Sequence, residues 1–187
     1  TTGEGGMIVT SDAHLAEHAR RLRDLAHTPK RRFVHDEVGF NFRMTNLQGA
    51  IGLAQLERIE AAIANKRWMA GLYNELLADV PEIALPQEQP WARSMYWMYA
   101  VRVTRRSKLS RDEIMAELKK RGVDSRTFFV PMHQQPVFRQ WGWFEGEAYP
   151  VAEELSESGF YLPSGPAITE EQIRAVCAAL KDVLASA

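Results

Sequence analysis

A single cysteine, Cys177, stands in 187 residues. No disulfide can close within such a chain, and this usage fits a reducing, cytoplasmic setting. No apolar run approaches the ~20 residues that a membrane-spanning helix requires, and the opening residues do not read as a signal sequence. A membrane is therefore not an expected partner. Neither sign of charge is in excess: 23 Lys and Arg stand against 24 Asp and Glu, for a net charge of −1. With no long tract of one sign, nucleic acid is not an expected partner either. Internal repeats and low-complexity tracts are missing too, which sets aside repeat and solenoid architectures. What the chain does have is 45% hydrophobic residues, enough for a real core at this length. It opens with Thr1-Thr2-Gly3-Glu4-Gly5-Gly6, which looks like the middle of a loop, so a longer polypeptide is expected.

The stretch Gly39 to Gln48 carries the clearest local signals. Thr45 with Gln48 three positions later makes a capping box, which satisfies orphan amides and starts a helix. Leu47, Ile51 and Ala54, then Leu56, Ile59 and Ile63, continue it at three- and four-residue steps. The pattern predicts one long helix from Thr45 to Asp79 with a bend near Ala64-Asn65. Gly49 and Gly52 each cost roughly 1 kcal/mol inside it relative to alanine. That cost suggests that another group comes close to this helix start. Upstream, Met7 to Thr10 predicts a short strand. Ser11-Asp12 offers caps for a helix with Leu15, Ala19, Leu22 and Leu25 on one face, fading near Thr28-Pro29 where proline stops it. Lys30 to Val38 reads as an irregular basic and aromatic loop.

Pro81, Pro86 and Pro90 mark a linker, which divides the chain into residues 1–80 and 81–187. In the second part, Tyr96 to Val103 predicts a strand. Ser110 with Glu113 caps a helix that runs to Gly122, with Lys119, Lys120 and Arg121 at the negative end of its dipole. Val123 to Val130 predicts another strand, and Pro131 to Phe144 an aromatic-rich loop. Pro150 starts a short helix ending at Gly159, and Phe160 to Pro163 is extended. Thr169 with Gln172 caps a last helix whose apolar face is Ile173, Val176, Leu180 and Val183. The alternation predicts a small α+β or α/β domain.

Several residue groups invite chemistry, each beside a plainer alternative. Gly3-Glu4-Gly5-Gly6 can expose amides to phosphate but lacks a full nucleotide fingerprint, so a tight turn is the simpler account. His14 and His18 are one helical turn apart, as metal ligands can be, yet arginines crowd that helix and no carboxylate-rich partner segment is near. No metal site is expected. His133 sits in the proline-framed, aromatic turn Phe128 to Pro136, either packed as a structural ring or lining a site. Lys30-Arg31-Arg32-Phe33 is a solvated loop or a cradle for a nucleotide diphosphate, because arginine's donor fork grips phosphate oxygens in pairs. Asn41, flanked by Phe40 and Phe42 just ahead of a helix start, either ties down a loop with Arg43 or offers its amide to a phosphate. Cys177 reads as inert core.

Five runs in order also carry a resemblance: Thr1-Thr2-Gly3-Glu4-Gly5-Gly6-Met7; Gly39-Phe40-Asn41-Phe42-Arg43-Met44; Gln48 to Leu56; Pro131-Met132-His133; and Tyr161-Leu162-Pro163-Ser164-Gly165. Together they resemble the pyridoxal-phosphate-dependent nucleotide-sugar aminotransferases of the DegT/StrS type, over essentially the whole chain. The resemblance implies the C-terminal half of a fold-type I (aspartate aminotransferase-like) enzyme. Residues 1–80 would be the end of the large α/β cofactor-binding domain and a long connecting helix, and 81–187 an α+β small domain. It implies a homodimer with shared active sites. The cofactor-bearing lysine would lie just upstream of Thr1, so no catalytic residue is expected in this chain. Asn41 matches the residue that binds the cofactor phosphate of the neighbouring subunit. Arg31 matches a loop near the substrate diphosphate, and His133 a residue lining the sugar pocket. The implied reaction passes an amine from glutamate to the 4-keto group of a nucleotide-linked 6-deoxyhexose. Tyr96 to Tyr99, Phe128 to His133 and the Leu-Pro-Ser-Gly run narrow the resemblance within the family, and that narrower resemblance implies GDP-4-keto-6-deoxymannose as the acceptor. A sugar dehydratase of the same family, or a non-catalytic relative that binds a nucleotide sugar or regulates transcription, stands as the alternative.

Overall fold

Capping chemistry sets where the helices begin. Asp12 accepts hydrogen bonds from the amides of His14 and Leu15 at 2.8 and 3.1 Å, and α1 runs from there over Ala13–Arg23. It ends before the expected proline: Leu25 and Ala26 take left-handed backbone (φ 63° and 52°), which no continuing helix allows. The expected stop at Pro29 lies outside the described residues; the computed structural model describes residues 1–28 and 30–186. By contact, the chain forms two compact units, Thr1–Glu60 and Ala61–Ala187.

In the first unit, His27–Thr28 (β1) and Arg31–His35 (β2) pair antiparallel, where an irregular loop was expected. The Phe33 amide donates to His27 Nδ1 at 3.2 Å, and His35 Nδ1 donates to the Leu25 carbonyl at 2.7 Å. Arg21 from α1 ties the hairpin base through Asp36 and Glu37. The expected strand at Met7 to Thr10 does not form; Met7, Ile8 and Val9 are exposed, and the segment joins no ladder among the described residues.

The capping box at Thr45 is present in both directions, and α2 runs over Asn46–Leu56. The expected single long helix is broken. The Arg58 amide turns back to the Gln55 carbonyl at 3.2 Å, tightening the last turn, and the ladder restarts as α3, Ile59–Leu77. The interruption thus falls at Glu57-Arg58, and α3 runs through Ala64-Asn65 unbroken. The Gly-rich opening run supplies the close approach to α2. Gln48 Nε2 donates to the Glu4 carbonyl at 3.1 Å, and a Cβ on Gly52 would stand 3.1 Å from the Thr2 methyl. Around Gly49 the space is open.

The second unit is built on an antiparallel sheet in the order β3-β4-β6-β5: Ile83–Ala84, Tyr99–Val103, Gly159–Leu162 and Arg126–Thr127. Its remaining helices are α4 (Arg111–Lys120), α5 (Pro136–Gln140), α6 (Pro150–Ser158) and α7 (Glu170–Ala185). The capping boxes at Ser110 and Thr169 start α4 and α7 as the spacing predicts. The strand expected over Val123 to Val130 narrows to two residues, and the aromatic loop holds a 3-10 turn, Met132–Gln134, and α5.

Tyr99 and Val101 point to the core by the two-residue period of a strand, beside Phe160 and Leu162. Met69, Tyr73 and Leu77 of α3, Ile114 and Leu118 of α4, and Ile173, Val176, Leu180 and Val183 of α7 complete it. Residues 61–80 thus group with the following unit by packing, whereas composition alone placed the division at the prolines. The Tyr73 and Tyr99 rings stack at 4.4 Å, and their hydroxyls donate to the Pro163 carbonyl and to Asn74 Oδ1. Burial pushes both phenols far above their ordinary range. Cys177 is buried in this core, its thiol pushed up to about 11 by desolvation, which keeps it an unreactive thiol at neutral pH. Asn65, Lys66 and Tyr73 along α3 bond three carbonyls of the turn that follows β6, at Pro166, Ser164 and Pro163.

Candidate functional site

The segment Phe40 to Phe42 is extended and braced against the end of α1. The Phe40 amide donates to Leu22 at 2.7 Å, Leu25 to Phe40 at 3.0 Å, and Phe42 to Arg23 at 3.0 Å, forming a bridge between Asp24 and Asn41. Gly39 makes this closeness possible, since a Cβ there would stand 2.4 Å from the Ala26 nitrogen. The Phe40 and Phe42 rings stack at 5.1 Å and nearly parallel, so the alternation of an extended chain turns Asn41 away from them.

The two accounts of this segment now separate. Arg43 ties the loop, with Nη1 3.3 Å from Asp24 Oδ1. The Asn41 side chain does not: it is exposed and its amide has no hydrogen-bond partner among the described residues. Four residues on, Thr45 opens α2, whose dipole favours an anion at this end. Three main-chain bonds brace the backbone that presents this uncommitted amide, four residues ahead of a helix cap. Such a donor fits a phosphate oxygen, and so fits the phosphate of pyridoxal phosphate.

Arg31 opens β2, where all five residues are exposed. Its carbonyl accepts from the Thr28 hydroxyl at 2.8 Å, while its guanidinium has no partner among the described residues. Arg32 lies over the Phe33 ring at 4.9 Å and is thus turned to that aromatic. The hairpin holds Arg31 out as a free donor fork.

His133 belongs to the second unit and is 7% exposed. Its Nε2 lies 2.7 Å from Glu153 Oε1, and the same oxygen accepts from the Tyr149 amide at 3.0 Å. The Tyr149 amide first and the His133 bond second hold the Glu153 carboxyl below the usual range, so it is ionised at neutral pH. The Tyr149 ring packs against the imidazole at 4.9 Å between centroids, tilted to it. Sequence reasoning missed Glu153. It stands four rather than three positions after the α6 cap, and that cap is a tyrosine, so no capping-box pattern marks it. Asn41 and Arg31 lie in the first unit and His133 in the second.

His14 and His18 line an open hollow of α1 with Leu15, Glu17 and Arg21, and His18 Nε2 faces Glu37 at 3.5 Å. No group of three His, Cys, Asp or Glu side chains suited to a metal ion occurs among the described residues. No helix among them is long and apolar enough to cross a membrane.

Comparison with known proteins shows the family. The profile of the DegT/DnrJ/EryC1/StrS aminotransferase family matches residues 1–181. GDP-perosamine synthase of Caulobacter vibrioides is 40% identical over 98% of this chain and 49% of its own length. The Vibrio cholerae GDP-perosamine synthase is 34% identical over 97% of this chain and 49% of its own length. The solved structure of the aminotransferase TlmJ from Streptoalloteichus hindustanus superposes with a TM-score of 0.83 at 27% identity, covering 99% of this chain and 49% of that one. The chain spans about half the length of the curated relatives it matches.

Proposed function

Because this chain belongs to the DegT/DnrJ/EryC1/StrS aminotransferase family, we propose that the whole protein is a pyridoxal-phosphate-dependent nucleotide-sugar aminotransferase. Its fold is mixed α/β, as expected of half of a fold-type I enzyme. We infer GDP-4-keto-6-deoxymannose as the acceptor and glutamate as the amino donor, with GDP-perosamine as product. The observation that carries this is the 40% identity to a GDP-perosamine synthase across nearly the whole chain.

Pyridoxal phosphate, when bound, supplies an electron sink for the carbon that gains or loses a proton. This chain's residues bind and orient. In the proposed homodimer, the Asn41 amide donates to the cofactor phosphate held by the neighbouring subunit. Arg31 offers two parallel N–H groups to the substrate diphosphate, a geometry that a lysine could not match. His133 meets a hydroxyl of the sugar. The lysine expected upstream of Thr1 would carry the proton transfer. A cytoplasmic site of action suits the soluble nucleotide-sugar substrate.

The test uses the full-length protein loaded with cofactor, GDP-4-keto-6-deoxymannose and glutamate. The expected result is one 2-oxoglutarate formed per GDP-perosamine, measured by coupled absorbance and mass spectrometry. Loss of a hydroxyl from the sugar without amination would instead identify a dehydratase. Binding of the nucleotide sugar with no turnover would identify a non-catalytic relative.

A further inference from the structure

We propose that Glu153 is a positioning residue for His133, fixing the imidazole proton on Nε2 so that Nδ1 is the acceptor turned to a substrate hydroxyl. The substrate half of this inference rests on the assignment of His133 to the sugar site; the tautomer half does not.

A hydrogen bond at Nε2 and a ring contact with Tyr149 hold the imidazole. Glu153 is ionised, and a carboxylate only accepts, so the 2.7 Å contact requires a proton on His133 Nε2. A charged acceptor makes such a bond about twice as strong as a neutral one. The carboxylate is itself held, because Oε1 also accepts the Tyr149 amide at 3.0 Å, while the Glu153 amide donates to the Tyr149 carbonyl at 3.0 Å. The His133 backbone is fixed in turn: Arg139 Nε donates to its carbonyl at 3.1 Å. Tyr149 packs on the ring at a tilt of 59°, its hydroxyl engaged by Glu147. These contacts bring the ionisable groups of Glu153, Tyr149, Arg139 and Glu147 to this histidine. The tautomer of a neutral imidazole follows the bond that its other nitrogen makes. Here Nε2 is committed, and Nδ1 has no partner among the described residues. One ring nitrogen is thus committed to a carboxylate that is itself held in place, and the other is left for a ligand.

The experiment labels the full-length holoenzyme with ¹⁵N-histidine and reads long-range ¹H–¹⁵N spectra at pH 8, with His133→Gln to assign the signal. The expected result is a single Nε2–H form in the parent. In Glu153→Ala the Nδ1–H form becomes populated. Glu153→Gln keeps an acceptor for the Tyr149 amide and so preserves the start of α6. The same carbonyl faces His133 Nε2, but as a neutral and weaker acceptor, so Glu153→Gln populates the second form in part and less than Glu153→Ala, while the charged Glu153→Asp keeps more of the first. The Michaelis constant for the nucleotide sugar rises about tenfold in Glu153→Gln, equivalent to the loss of ~1.4 kcal/mol, with that for glutamate unchanged. A single, unchanged Nε2–H form in both Glu153→Ala and Glu153→Gln overturns the proposal. A shifted tautomer with an unchanged Michaelis constant for the sugar overturns the substrate half, and with it the sugar-site role of His133, while Glu153's control of the tautomer stands.

Discussion

Replacing Asn41 with alanine isolates the phosphate contact from the fold. In most sites, truncating a polar side chain strands its partner, and stability and binding fall together. Asn41 is exposed and its amide meets no other group among the described residues, so its removal strands nothing. Its backbone is held by Phe40, Leu22, Phe42 and Arg23 through main-chain bonds that alanine keeps. The fold should therefore change by less than about 0.5 kcal/mol, as for an ordinary surface substitution. A hydrogen bond to a charged group contributes roughly 1.5–3 kcal/mol, so cofactor affinity should fall about 10- to 150-fold. The assay is titration of the apoprotein with pyridoxal phosphate, followed by the cofactor's visible absorbance, beside thermal melts of both apo forms. Arg43→Ala is the control: it removes an exposed pairing with Asp24, so the cofactor should bind almost as before. Unchanged cofactor affinity in Asn41→Ala refutes the phosphate assignment. A fall in apoprotein stability that matches the fall in affinity refutes the claim that Asn41 is uncommitted.

Arg31→Ala should raise the Michaelis constant for the nucleotide sugar tenfold or more, in line with a lost bidentate phosphate contact of roughly 1.5–3 kcal/mol, and leave that for glutamate alone. Equal effects on both substrates would make the hairpin tip mere surface. Tyr99→Phe deletes the donor to Asn74 Oδ1 at 2.7 Å and should lower stability by about 1–2 kcal/mol in urea unfolding, with the slope unchanged; a neutral result would mean that water replaces it. Arg67, first, and then the Ser94 amide hold the Glu88 carboxyl below its ordinary value, so it binds protons less readily folded than unfolded. That stability is present above the usual carboxylate range and is lost as the pH falls through and below it. In acid titrations followed by circular dichroism, Glu88→Gln should show a shallower decline below about pH 4.5 than the parent, and parallel curves would contradict this.

The capped helices were legible because each start is written in one residue and a partner three positions on. Thr45 with Gln48, Ser110 with Glu113, and Thr169 with Gln172 all close as the spacing implies. The core face of α7 was legible from its period. The hairpin was not, because it has no Asn-Gly or Asp-Gly turn, every side chain of β2 is exposed, and Phe33 takes φ 68°, which sequence pattern does not announce. The break at Glu57-Arg58 was hidden for a similar reason: no glycine or proline marks it. Met7 to Thr10 has strand propensity, but a strand needs a ladder partner, and none is present among the described residues. At the site, the position of Asn41 before a helix start was legible, whereas its freedom from internal bonds needed coordinates. Glu153 was illegible because its meaning depends on a histidine 20 positions earlier.

The sheet of the second unit also bears on how the protein behaves in crowded solution. Its two outer strands, β3 and β5, are only two residues long each, while the longer β4 and β6 are enclosed between them. A chain seeking to add itself to either border would find few free amides and carbonyls before the strand ends. The border at β5 moreover carries exposed Arg126, a charge that opposes pairing of one sheet edge with another. The architecture therefore resists polymerising edge to edge, and lengthening β5 by substitution would remove that protection without touching any residue proposed to bind substrate or cofactor.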